Sequence, residues 1–99
     1  MATQTASQIT VDNMAGCDIK FAVEYNGNTT PYTSSFPIDQ SETIDLASYG
    51  IPVGTVLYPI IHADGGETKD GVTVTYDPAG NTASYRVTGG LDTLSITLQ

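Results

Sequence analysis

Apolar and polar positions alternate with period two along most of the chain. Ile9 and Val11 alternate with Thr10 and Asp12, and Ile19, Phe21, Val23 and Tyr25 with Lys20 and Glu24. Ile44 and Leu46 follow the same rule, as do Val72, Val74 and Tyr76, then Ala83, Tyr85 and Val87, then Leu94, Ile96 and Leu98. Side chains of a strand point alternately to its two faces, so this pattern predicts strands with one face buried and one wet. The run Val56-Leu57-Tyr58-Pro59-Ile60-Ile61-His62-Ala63 is different, being almost continuously apolar. It predicts a central strand covered on both faces, either bulged at Pro59 or with the missing proline amide on the open side of the sheet.

Turn residues separate these segments. Asn26-Gly27 supplies the positive φ angles of a tight hairpin, so the chain should fold back into a Thr- and Ser-rich return strand over 29–36. Pro31 within it marks a sheet edge. Residues 47–50 should close as a single turn, 64–71 as a polar loop, and 77–81 as the turn of a second hairpin joining the strands on either side. The result is about eight short strands with no helical periodicity, which predicts an all-β fold: an antiparallel β-sandwich, with a small β-barrel as the alternative. The small, polar residues 1–7 are expected to be a loose segment, with residues 8–99 forming one domain.

Composition narrows the partners. Three basic residues against eleven acidic ones give a formal net charge of −8, which repels a phosphate backbone and argues against nucleic acid. No run approaches the roughly 20 apolar residues of a transmembrane helix. Residues 1–7 lack the charged start and apolar stretch of a secretory signal, so a soluble, cytoplasmic protein is expected, although a processed secreted chain would read the same. Cys17 is the only cysteine, so its expected place is as a small apolar filler.

Candidate chemistry is sparse. His62, the only histidine, stands two residues from Asp64, and on an extended strand the two would share a face like a base and its orienting carboxylate. No serine elbow or other nucleophile accompanies them, so a hydrolase ranks last and a non-enzymatic protein is expected. Asp64, Glu67, Asp70 and Asp77 gather hard oxygen donors among glycines and form a candidate calcium site, although Gly66 and Lys69 break the EF-hand spacing. No other cofactor is expected.

Six tyrosines and no tryptophan are the clearest imbalance. Tyr25, Tyr76 and Tyr85 are in phase with the core, whereas Tyr32 and Tyr49 fall on the edge strand and in a turn. Exposed rings beside hydroxyl and amide groups suit a neutral sugar, with a flat face to stack on and fixed polar partners. The leading expectation is a lectin-like binding module for a neutral glycan or a protein, using Tyr32, Tyr49, His62 and Asp64. The alternatives are a self-assembling homo-oligomer that pairs its strand edges and a toxin-like membrane-acting protein.

Overall fold

The computed structural model describes residues 4–99 as a sandwich of two mixed β-sheets. Ten strands run in chain order: β1 (Thr5–Ala6), β2 (Gln8–Asn13), β3 (Ile19–Tyr25), β4 (Asn28–Thr29), β5 (Gln40–Asp45), β6 (Val56–Ala63), β7 (Thr68–Asp70), β8 (Val74–Tyr76), β9 (Thr82–Thr88) and β10 (Ser95–Leu98). One 3-10 turn, Leu46–Tyr49, fills the place expected for a single turn, with the Asp45 carboxylate accepting from the Ala47 amide at its start. The first sheet has the order β1-β8-β6-β3-β4, with β7 also on β6, and the second is β10-β9-β2-β5. The all-β sandwich predicted from the alternation is the fold observed, and the in-phase apolar residues of both sheets form the core between them.

The expected antiparallel arrangement is corrected in two places. β1 runs parallel to β8, and β2 runs parallel to β9. Both pairs change sheets at the same level: the chain crosses at Ser7 and again over 77–81, where the Ser7 amide donates to Asn81 O at 3.0 Å and the Ser7 hydroxyl to Gly80 O at 2.8 Å. For the same reason β8 and β9 are not the second hairpin that their alternation and intervening turn suggested. Their apolar residues enter the core from opposite sheets, so 77–81 is an arch and not a hairpin turn. The loose segment expected over 1–7 is likewise shortened, because Thr5 and Ala6 pair with Thr75 and Tyr76 and Ala6 is fully buried. The part of that expectation covering residues 1–3 lies outside the described residues.

β6 is the central strand of the first sheet, but not one covered on both faces. Leu57, Pro59, Ile61 and Ala63 are buried, whereas Tyr58, Ile60 and His62 are half-buried and Val56 is exposed. Its ladder with β3 runs without a bulge from Ile19↔Ala63 to Tyr25↔Leu57. Val23, opposite Pro59, turns its backbone away from β6, donating to Thr30 Oγ1 and accepting from the Thr30 amide. The proline nitrogen therefore faces the other flank, and there the neighbouring chain breaks into β7 and β8 around residues 71–73. Thr68–Asp70, within the stretch expected to be loop, is a strand because it pairs with β6 before that break.

The break is filled from the opposite sheet. Tyr85 of β9 is fully buried and its hydroxyl donates to Val72 O at 2.7 Å. A Cβ on Gly71 would lie 2.8 Å from the Pro59 ring and 3.0 Å from the Tyr85 ring, so only glycine lets the two rings close the gap.

The Asn26-Gly27 hairpin forms with φ of 50° and 76°, and joins β3 to β4. The return strand expected over 29–36 stops at Thr29. Beyond it Thr30 and Thr33 each give an amide to β3 and accept a β3 amide on the hydroxyl, and Phe36 exchanges both backbone bonds with Ile19. Positions 30, 33 and 36 thus meet 23, 21 and 19. This three-to-two register satisfies the edge of β3 without a regular strand.

Candidate functional site

The outward phase of β6 meets that of β3 on the outer face of the first sheet. Tyr58 lies opposite Glu24, Ile60 lies between Ala22 and Asp70, and His62 lies between Lys20 and Thr68. His62 Nδ1 and Thr68 Oγ1 are 2.7 Å apart, and the Tyr58 hydroxyl donates to the Glu24 carboxylate. That bond to Glu24, then partial burial, pushes the Tyr58 phenol up to about 12. The Lys20 ammonium lies 5.2 Å from the centroid of the Tyr32 ring, a cation–π contact. Tyr32 is 42% exposed.

Of the residues singled out from the sequence, Tyr32 and His62 are therefore brought together, one on each side of Lys20. Tyr49 is not with them: it is half-buried against Tyr25, with ring centroids 6.2 Å apart. Asp64 is exposed but sits in the turn where the Gly66 amide donates to Ala63 O, and its own amide donates to Asp18 O. The chain stops being extended at Ala63, so the hydrogen-bond partner of His62 is the Thr68 hydroxyl and not the Asp64 carboxylate.

The four carboxylates considered for calcium are dispersed. Glu67 accepts the Leu94 amide at 2.6 Å while Lys69 donates to Leu94 O at 2.9 Å, so this pair clamps the β9–β10 connection. Asp70 stands on β7 opposite Ile60, and Asp77 accepts the Ala79 amide within the arch. Among the described residues no group of three His, Cys, Asp or Glu side chains is placed to hold a metal ion. Cys17 is half-buried, and burial, then Asp18 and Asp64, push its thiol upward, away from the reactive thiolate.

Sequence reasoning missed Tyr58, Lys20 and Glu24 as members of the face. The signal was the shared parity of 58, 60 and 62 along β6, hidden by the apolar character of the run. Among the described residues no cavity or cleft opens. What this face offers is a shallow plane of rings edged by hydroxyl, ammonium and carboxylate groups.

A second cluster of exposed groups lies at one end of the sandwich. The connections 14–18, 36–39, 64–67 and 89–94 meet there: the Gly16 amide donates to Gly89 O, Asp39 to Asn13 O, and Glu67 to Leu91 O. Met14, Ile38 and Leu91 stand exposed on them.

No protein-family profile and no curated protein matches the sequence. Solved structures do show a similar fold. The chain superposes on part of pneumolysin with a TM-score of 0.54 at 8% identity, and on part of listeriolysin O with 0.50 at 11%. In each case 94% of this chain is matched, but it spans only 23% and 22% of those proteins. At such identity the likeness is one of fold.

Proposed function

We propose that this chain is a non-enzymatic recognition module whose binding surface is the outer face of the first sheet, and that its ligand is an extended neutral glycan. The observation that carries this is the placement of Tyr32, His62 and Tyr58 around Lys20 and Glu24 on one face. A flat face suits a polymer lying across strands better than a small molecule, which needs a concavity to bury most of its surface. The exposed Tyr32 ring provides the stacking platform, and Lys20, Thr68 and Asp70 supply donors and acceptors for sugar hydroxyls. The neutral ligand follows from the charge of −8, which disfavours polyanions. Tyr32→Ala should weaken binding about tenfold, roughly 1.4 kcal/mol, with an unchanged melting temperature. Tyr49→Ala, by contrast, should lower stability and leave the affinity alone. Titration calorimetry against ligands found on a glycan array reads both, and an array with no bound glycan removes the carbohydrate reading.

The fold shared with two proteins that are lysins by name, together with Met14, Ile38 and Leu91 at the loop end, favours one second reading, a membrane-surface module. The four connections at that end carry Asp18, Asp39, Asp64, Glu67 and Asp92 and no Lys or Arg. This reading therefore expects cosedimentation with neutral phosphatidylcholine vesicles that falls when anionic lipid is added. Failure to bind either vesicle retires it.

A further inference from the structure

We infer that the free edge of β10 pairs with the same strand of a second copy of this chain, joining two sandwiches into a closed two-fold dimer. The second sheet leaves two edges, β5 and β10. β5 and its flanks carry Asp39, Glu42 and Asp45 with no basic residue between 39 and 46, and an acidic edge repels its own copy. Residues 93–99, Thr-Leu-Ser-Ile-Thr-Leu-Gln, carry no charged side chain, no proline and no glycine. These are the devices that ordinarily blunt an exposed edge, and β10 has none of them. The edges of the first sheet are closed differently: β1 is two residues long, and 30–36 satisfies β3. β7, the short strand beside the break, carries Lys69 and Asp70.

The hydrogen-bond phase of β10 fixes how a copy would join. Gln99 donates to Ser84 O at 2.8 Å, so Ser95, Thr97 and Gln99 direct their backbone groups to β9, and those of Ile96 and Leu98 face outward. Among the described residues no strand meets them. In an antiparallel seam centred on Thr97, Ile96 of each copy faces Leu98 of the other as a hydrogen-bonded pair, and the two Thr97 residues meet at the closer, non-hydrogen-bonded position. This register satisfies every outward-facing amide of the strand. It also extends the core side of the sheet, where Ile96 and Leu98 are only half-buried at the rim.

Charge and size set the strength. At its start the strand is flanked by the Glu67 carboxylate and Lys69 ammonium, which hold the Leu94 amide and carbonyl and oppose each other in sign. At its centre the two copies of Arg86, opposite Thr97 on β9, stand about three strand spacings, ~14 Å, apart, beyond the screening length at physiological salt. The remaining net negative charge opposes association, so salt should strengthen the dimer. An edge of four residues buries less than a standard interface, which places the affinity in the weak, transient class. A two-fold axis normal to the sheet turns the outer faces of both first sheets the same way, so the dimer would present two copies of the proposed binding face to a repetitive ligand. The pairing itself does not depend on what that face binds.

Sedimentation equilibrium of the full chain, from micromolar to millimolar concentration at low and high salt, tests the inference. The expected result is a monomer–dimer equilibrium that tightens with salt. Thr97→Lys places two ammonium groups directly opposite each other and should weaken the dimer at least about tenfold, the factor given by roughly 1.4 kcal/mol. Thr97→Val and Thr43→Lys, the latter on β5, should leave it intact. Amide exchange on the unmodified chain gives a readout independent of folding defects: Ile96 and Leu98 should gain protection with concentration, while Thr97 is protected throughout. A strict monomer at high salt, a dimer indifferent to Thr97→Lys, or open assemblies larger than a dimer would each overturn the proposal.

Discussion

Tyr85→Ala is expected to lower the unfolding free energy by about 3–5 kcal/mol, the range for emptying a large aromatic site in a packed core. Few substitutions in this chain should cost as much, because Tyr85 fills the break beside Pro59 that no strand covers. With a total stability of about 5–15 kcal/mol for a domain of this kind, the variant should be close to unfolding at ambient temperature. Tyr85→Phe separates the two parts of the effect. The ring stays, only the bond to Val72 O is lost, and because Val72 is exposed and its carbonyl can be hydrated, the cost should be nearer 1 kcal/mol. Urea unfolding with an unchanged m-value reads both.

The same residue sets an alkaline limit. Burial pushes the Tyr85 phenol up to about 12 from its ordinary 10.0. A group whose pKa is raised by folding contributes its full stability below the unfolded value and loses it as pH rises toward the folded one. Stability should therefore hold to about pH 10 and decline toward about pH 12, with a shallower decline in Tyr85→Phe. Tyr58, held up by Glu24, contributes to the same window and should leave a residual slope. A decline identical in the two proteins would show that folding does not raise the Tyr85 pKa.

The strands were legible because each carries its own alternation. β3 was expected and found over Ile19–Tyr25, and the turn between it and β4 was carried by the dipeptide Asn26-Gly27. Pairing was not legible, since nothing in Val74 or Ala83 says that the five residues between β8 and β9 arch from one sheet to the other. Parallel pairing of β1 with β8 depends on residues far apart in sequence, so Thr5 and Ala6 looked like a loose end. Pro59 announced an interruption, but not that Tyr85 would fill it from the opposite sheet. The candidate face was half legible for a similar reason. Tyr32 and His62 were named, but that they meet across Lys20 follows from the β3–β6 register and from the irregular path of 30–36. In the acidic loop, spacing alone does not reveal that Glu67 holds the Leu94 amide and Asp77 the Ala79 amide.

Asn13 carries the other large effect. It closes β2 on the inward phase and is fully buried. Its amide nitrogen donates to Cys17 O and Phe36 O, each at 2.9 Å, and its oxygen accepts the Ala15 amide at 2.9 Å. One side chain thus ties the end of β2 to the 14–18 turn and to the strap beside β3. Asn13→Ala leaves the buried Ala15 amide and the Cys17 carbonyl without that partner, while Phe36 O keeps the Ile19 amide. The expected loss is about 2–4 kcal/mol, because stranded buried groups cost more than the bonds that satisfied them contribute. Asn13→Asp should be no milder at neutral pH, since it keeps the acceptor for Ala15 but turns an oxygen toward two carbonyls. Because Asn13 holds the loop end and stands away from the Tyr32–His62 face, the variant also separates the two functional readings. At a temperature where it remains folded, vesicle association through Met14, Ile38 and Leu91 should fall and glycan affinity should not change. A urea midpoint equal to that of the unmodified chain would show that the three bonds do not hold this end together.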